Sequence, residues 1–312
     1  MIYIISLLIV LGEKMIVIGH KNPDTDSIVA SIAYTQFCNL IGKQAKAYRI
    51  GEINPETEFV LQKFGFSIPP MLSEITDSVA LVDHNSLEES APGLDETRIV
   101  EVIDHHKLSL ITSNPIFVHI EPIGSTSSII FKFFKQKNLK IDQKLAGALL
   151  AAILSDTVIF KSPTTTEEDK AIANELAKLA NIPDIISFGV EVKKKKADFS
   201  KTPASEIIKS EAKEYVFGTK KFIVAQVEVF DWELKKRKNE IVEEMKKQKG
   251  FDAYLFMLTN IMTEETLLLY VGDESIIKKA FPFGSFEENA ILLEKTLSRK
   301  KQIIPPLQKA CS

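Results

Sequence analysis

Apolar and polar positions in the first half of the chain alternate between short apolar runs and stretches at helical spacing. MIVIG (15–19) reads as a buried strand and HKNPDTD (20–26) as a loop. Ser27 to Leu40 then reads as a helix, with Thr25 or Asp26 available as its cap. AKAYRI (45–50) predicts a second strand and Pro55 to Phe64 a helix. VALVD (79–83) and IVEVID (99–104), rich in β-branched residues, predict two more strands, and IFVHI (116–120) a further one. Helices are predicted over 124–136, 145–156 and 165–180. Strands alternating with helices predict an α/β fold, a mostly parallel sheet with helices on both faces.

The texture changes after Val192. KKKKADFSKTP (193–203) is basic, polar and closed by a proline, and it reads as a solvated linker between domains 15–192 and 204–312. Beyond it, KKFIVAQVEVF (220–230) predicts a strand and Glu233 to Lys249 a charged helix. AYLFMLTNI and ETLLLYVG predict paired strands around a polar turn at 262–265. This is a smaller, mixed α/β domain.

Composition narrows the function. At 312 residues, 45% hydrophobic and 26% charged, the chain is an ordinary globular protein long enough for two domains. A net charge of −3 gives no broad footprint for nucleic acid, yet a small anion needs only a local cationic cluster. Cys38 and Cys311 form no disulfide framework, which points to a reducing, cytoplasmic setting. The apolar run Ile2 to Leu11 is short for a membrane span and lacks the flanks of a signal peptide. Met15 is therefore expected as the functional start, with 1–14 an upstream extension and no membrane association.

The candidate chemistry lies in the histidines and acids. His20, His84, His105 and His106 each follow a predicted strand, and Asp24, Asp26, Asp83 and Asp104 share those segments. In an open parallel sheet the strand C-termini share one edge, where ligands bind. Asp156 ends a very apolar helix, at the negative end of its dipole, an unfavourable place for an acid without a cation nearby. Singly, each residue is ordinary: an Asp-x-Asp is commonly a cap, and a lone His commonly a hydrogen-bonded structural residue. Together, so many carboxylates would repel one another unless divalent cations lay among them. Mixed imidazole and carboxylate ligands suit Mn²⁺, Fe²⁺, Co²⁺ or Zn²⁺. Two such ions about 3.5–4 Å apart can share a bridging water and lower its pKa, the nucleophile a phosphoanhydride needs. A second cluster, Arg299, Lys300 and Lys301 in SRKKQIIPPL (298–307), with Lys213 upstream, could supply cations for phosphate.

GHKNPDTDSI (19–28), VDHN (82–85), DHH (104–106), LSDT (154–157) and the SRKKQIIPPL segment, in this order, resemble the family II inorganic pyrophosphatases of the DHH phosphoesterase superfamily. The resemblance runs from Met15 to Leu307. It implies an N-terminal DHH-type metal-binding catalytic domain and a C-terminal substrate-binding domain, with the active site in the cleft between them. It implies two metal ions per chain, Mn²⁺ or Co²⁺, with Mg²⁺ arriving with pyrophosphate. One ion would be held by His20, Asp24, Asp83 and Asp156, the other by Asp26, Asp83, His105 and Asp156. Asp104 would orient a histidine. His106 would contact substrate and assist proton transfer, and Lys213, Arg299 and Lys300 would bind the phosphoryl groups. Many bacterial members are homodimers, which the resemblance extends to this chain. Family members usually carry a glutamine pair where this chain has Glu88 and Glu89, carboxylates expected to repel an anionic substrate or recruit a further cation. The rival activities are an exopolyphosphatase or another phosphoesterase of the superfamily. The nuclease-like relatives carry a GGGH-type motif, and this chain has no Gly-Gly pair. A non-catalytic phosphate-binding protein is opposed by the complete set of six ligands.

Overall fold

The computed structural model describes residues 14–196 and 198–311. The expected extension over 1–14 lies outside these residues except for Lys14, which opens the first strand. The chain divides into two compact units, Met1–Lys196 and Ala197–Ser312.

In the first unit β1 (Lys14–Ile18), β2 (Gln44–Tyr48), β3 (Ser78–Val82), β4 (Ile99–Asp104) and β5 (Phe117–Ile120) form one all-parallel sheet in the order β2-β1-β3-β4-β5. The chain steps outward from β1 to β2, then returns to lay β3 on the other side of β1. The winding reverses between β1 and β3, a crevice-forming switch point at the strand C-termini. Ile16 and Ile18 lie in register with Val79 and Leu81. These four, with Ile99 and Val102, pack against Ala91 and Leu94, and against Leu72, Ile75, Leu110 and Ile116. All six partners belong to connecting segments, so this core cluster contains no α-helix residue. The segments after β2, β3 and β4 are apolar enough to pack there.

The helices of this unit are α1 (Thr25–Leu40), α2 (Pro55–Phe64), α3 (Thr126–Gln136), α4 (Gln143–Asp156), α5 (Glu167–Ala180) and α6 (Ile185–Lys194). α4 is buried from Leu145 to Ser155 on every side, packed among α1, α2, α3, α5 and α6. A helix apolar all round has to lie inside. α1 is capped by Asp24, whose side chain accepts from the Ser27 amide, and not by Thr25 or Asp26. Those two residues lie inside the helix with other partners. α6 extends through Lys194 and takes up the first two residues of the run read as a linker. Asp184 caps it, and Phe188, Gly189 and Val192 form its buried stripe.

The second unit holds a six-stranded mixed sheet in the order β10-β11-β9-β8-β7-β6. Its strands are β6 (Lys213–Phe217), β7 (Lys220–Val229), β8 (Ala253–Asn260), β9 (Glu265–Gly272), β10 (Ser285–Glu287) and β11 (Ala290–Leu293). The β7–β8 pair is parallel and all others antiparallel. β8 is buried at every position. α7 (Ala204–Ile207) and α8 (Lys238–Lys247) cover one face, through Ile207, Ile241, Val242 and Met245. α9 (Glu274–Ala280) and α10 (Ile304–Ala310) cover the other, through Ile277 and Leu307. The helix expected over 233–249 is a 3₁₀ segment, Glu233–Arg237, followed by α8. Among the described residues no helix is long and apolar enough to cross a membrane.

Candidate metal centre

Every acid and histidine at the switch-point edge is placed by the end of a β-strand or a helix terminus. His20 follows β1, Asp24 and Asp26 open α1, Asp83 follows β3, Asp104 ends β4, and Asp156 ends α4. Asp83 adopts φ 63°, the left-handed region where Asp is better tolerated than most residues. After Asp156, Val158, Ile159 and Phe160 are left-handed in succession, at φ 49°, 53° and 65°. Two of them are β-branched, which marks a strained turn held by its surroundings beside a functional position.

Among the described residues three sets of donor atoms result, the third of them Asp83, His105 and His106. His20, Asp24 and Asp83 each bring an atom within 4.8 Å of the others, as do Asp26, Asp83, His105 and Asp156. Asp83 divides its carboxylate between them. Its Oδ2 lies 3.5 Å from His20 Nε2, and its Oδ1 lies 3.4 Å from His105 Nε2. Asp24 Oδ1 is 3.7 Å from His20 Nε2, and Asp156 Oδ2 is 3.2 Å from His105 Nε2. Asp156 joins the second set and not the first, where the resemblance had placed it in both.

Neighbouring groups aim the donors. His105 Nδ1 donates to the Ile123 carbonyl at 2.8 Å, which turns Nε2 inward. Asp26 accepts from the amides of Thr126 and Ser127 at 2.7 and 3.1 Å, the N-terminus of α3. Thr126 Oγ1 donates to Asp83 Oδ1 at 3.0 Å. Asp104 Oδ1 accepts from the ring of His106 at 2.9 Å and from the amides of His105 and His106. Its Oδ2 accepts from Asn85 at 2.5 Å. Asp104 therefore orients His106, whose side chain is half exposed. The Asp104 hydrogen bond raises the His106 pKa above its ordinary value, against the effect of burial.

The electrostatics of this cluster are those of a cation site. Burial, then the charges of Asp26, Asp83 and Asp24, push Asp156 up to about 10. Burial and neighbouring acids raise Asp83 well above the usual carboxylate range, and burial raises Asp26. His105 Nε2 and Asp156 Oδ2 are buried with no hydrogen-bond partner. An orphaned imidazole nitrogen facing orphaned carboxylate oxygen is satisfied by a metal ion between them, so the residues present fit divalent metal with mixed nitrogen and oxygen ligands.

His84 follows a strand as His20 does, but it is structural. Its ring meets the Val82 carbonyl at 3.0 Å and Ser90 Oγ at 2.8 Å, and burial lowers its pKa to about 4. Glu89 is paired with Lys21 at 3.7 Å, and the Glu88 carbonyl accepts from Lys21 Nζ at 2.7 Å. Of the two acids flagged in the sequence, Glu89 thus has a local cation for its carboxylate, while Glu88 meets Lys21 through its main-chain carbonyl. In the second unit Lys213 opens β6 in register with Val224, whose carbonyl accepts from Arg299 Nη1 at 3.1 Å. Arg299 also donates to the Glu211 carbonyl, so Lys213 and Arg299 gather at one end of β6. Lys300 follows, exposed, in a π-helical turn, Arg299–Ile303, just before Pro305 and Pro306.

Sequence reasoning passed over Gly19, Asn85 and Thr126. A Cβ at Gly19 would lie 1.9 Å from Ser27 Oγ and 2.9 Å from the Ser27 carbonyl, so the strand can close on α1 only without a side chain there. Gly19→Ala is expected to displace His20 and to weaken Mn²⁺ binding by roughly 10–100-fold, the usual effect of disturbing a ligand's support. Calorimetric metal titration checks this, and wild-type affinity would show that the loop adapts.

Residues 14–153 match the DHH family, N-terminal domain, and residues 190–310 match the DHHA2 domain. The manganese-dependent inorganic pyrophosphatase of Methanocaldococcus jannaschii is 42% identical over 309 residues, covering 94% of this chain and 98% of the relative. That of Bacillus subtilis is 38% identical over 307 residues, covering 96% and 99%. A solved Methanococcus jannaschii structure, assigned to the family II inorganic pyrophosphatases, aligns with a TM-score of 0.60 at 40% identity, covering 95% of this chain and 99% of that one. The chain belongs to the manganese-dependent, family II inorganic pyrophosphatases, built from a DHH and a DHHA2 domain.

Proposed function

We propose that this chain hydrolyses inorganic pyrophosphate to two orthophosphates, adding water across the phosphoanhydride at a two-metal centre. The observation that carries the reading is the divided carboxylate of Asp83, one oxygen toward His20 and the other toward His105. His20, Asp24 and Asp83 would hold one Mn²⁺, and Asp26, Asp83, His105 and Asp156 the other. Bound metal supplies a water of lowered pKa and positive charge for the phosphate oxygens. His106, held by Asp104 through Nδ1 and half exposed, would give a proton to the departing phosphate. Lys213, Arg299 and Lys300 bind the phosphoryl groups, and Mg²⁺ arrives with the substrate. The free thiols Cys38 and Cys311 support a cytoplasmic setting. Phe117 and Val118, half exposed on the edge strand β5, support a homodimer.

The test is phosphate release from pyrophosphate, tripolyphosphate, long polyphosphate and a dinucleotide. Pyrophosphate should be fastest, and Mn²⁺ or Co²⁺ should activate metal-free protein beyond Mg²⁺ alone. Faster release from long polyphosphate would make the chain an exopolyphosphatase. Thermal melting gives a second readout. Burial and neighbouring acids raise Asp156, Asp83 and Asp26 in the metal-free fold, so each holds its proton to higher pH there than in the unfolded chain. Metal-free stability should therefore fall as pH rises from about 4 toward the folded value of Asp156. Mn²⁺ at a hundred times its Kd should restore about 2.7 kcal/mol per site.

A further inference from the structure

The polar run after Val192 reads as a solvated linker, yet its first lysine is buried. Lys193 sits in the last turn of α6 with its side chain 11% exposed, and its Nζ lies 3.1 Å from Glu56 Oε2. Glu56 itself is only 2% exposed. Its other oxygen accepts from Thr25 Oγ1 at 2.8 Å and from Ser155 Oγ. Thr25 stands between Asp24 and Asp26, and Ser155 immediately before Asp156. Lys193 Nζ also reaches Ser155 Oγ at 3.2 Å and the Ser155 carbonyl at 3.4 Å.

These contacts answer the difficulty that the sequence poses at Asp156, an acid at the negative end of a buried helix. A cation is there, donating to one of the last carbonyls of α4, where a positive charge is favourable. One carboxylate, Glu56, grips the start of α1 and the end of α4 together. A buried ion pair is weak evidence for stability but can hold one arrangement of a site against others.

We propose that Lys193 and Glu56 are a positioning pair that holds Asp156 in register with Asp24 and Asp26, so that the two sets of metal ligands are formed before metal arrives. The proposal rests on the reading of these acids as metal ligands. It concerns two residues that touch neither metal nor substrate.

The experiment is calorimetric Mn²⁺ titration, with metal-free melting and steady-state kinetics, on Lys193→Met, Lys193→Arg, Glu56→Gln and the Lys193→Met/Glu56→Gln double variant. Removing one partner leaves the other as an uncompensated buried charge, so a single variant can lose stability for that reason alone. The double variant has no such charge. It should melt near wild type while binding Mn²⁺ about tenfold or more weakly, with kcat reduced and KM for pyrophosphate little changed. Lys193→Arg, which keeps the charge, should recover most of the affinity. Wild-type Mn²⁺ affinity and kcat in the double variant would overturn the proposal, as would tighter Mn²⁺ binding by Lys193→Met. Asp83→Ala is the control. If it too binds Mn²⁺ normally, the assignment of the metal ligands fails, whereas normal binding confined to the double variant sinks only the positioning role.

Discussion

Asp83→Asn should bind Mn²⁺ at least about a hundredfold more weakly and lose about a thousandfold or more in kcat/KM, roughly 4 kcal/mol of transition-state stabilisation. Asp83 is the one acid whose two oxygens face the two histidines from opposite sides, at 3.5 and 3.4 Å. An amide keeps the volume but offers a neutral oxygen on one side and an N–H on the other. Asparagine is also the substitution that spares the backbone, since it tolerates the left-handed conformation at φ 63°. Asp83→Ala removes both oxygens and adds strain, so its loss of activity would mix two causes. Calorimetry on the metal-free variants separates them. An Asp83→Asn enzyme that titrates with two tight Mn²⁺ ions would sink the shared-carboxylate centre.

The next largest effects are expected at the cationic cluster of the second unit. Lys300→Ala should leave Mn²⁺ affinity unchanged while lowering kcat/KM roughly ten- to a hundredfold, the worth of one charge-assisted contact at about 1.5–3 kcal/mol. Lys300 is exposed, so its removal disturbs little besides charge. Arg299 differs. Its guanidinium donates to the carbonyls of Glu211 and Val224, and its side chain is only 10% exposed. Arg299→Ala should lose at least as much activity as Lys300→Ala and some stability as well, because it removes a largely buried donor to both carbonyls. Lysine cannot reproduce the planar fork, so Arg299→Lys should recover only part. Normal hydrolysis by both alanine variants, measured beside metal titration, would make the cluster a solvated surface run.

The candidate ligands were legible because a parallel sheet exposes its strand ends, and strands are the best-marked elements in this chain. β4 begins and ends where IVEVID does, and His20, Asp83 and His105 fall where the alternation breaks. Position after a strand did not separate His20 from His84, and in the sequence only the family resemblance told them apart. Burial beside Ser90 and the Val82 carbonyl decides between them, and burial is a tertiary fact. α6 was passed over because its apolar stripe is short and it runs into four lysines, the first two of which it includes, which look solvated until Glu56 is found 3.1 Å from the first. The hydroxyls of Thr25, Thr126 and Ser155 carried no signal of their own. They read as ordinary helix-terminal residues, and only the meeting of α1, α3 and α4 gives them partners. In the second unit β6, β10, β11 and α9 are short and partly exposed, so hydrophobic spacing marks them weakly.

The placement of every proposed metal ligand in the first unit, between His20 and Asp156, bears on how the protein is made. Translation delivers the DHH unit first, with its own sheet, its buried α4 and the Lys193–Glu56 pair complete by Lys196. At roughly 5–20 residues per second the ribosome then spends on the order of ten seconds on the rest of the chain. During that interval a nascent first unit can fold and take up Mn²⁺ while the lysines and arginine proposed to bind phosphate are still unmade. Metal would be chosen by the nascent chain and hydrolysis switched on only at its completion, so manganese supply at the ribosome, and not only in the finished enzyme's surroundings, would set how much active protein results.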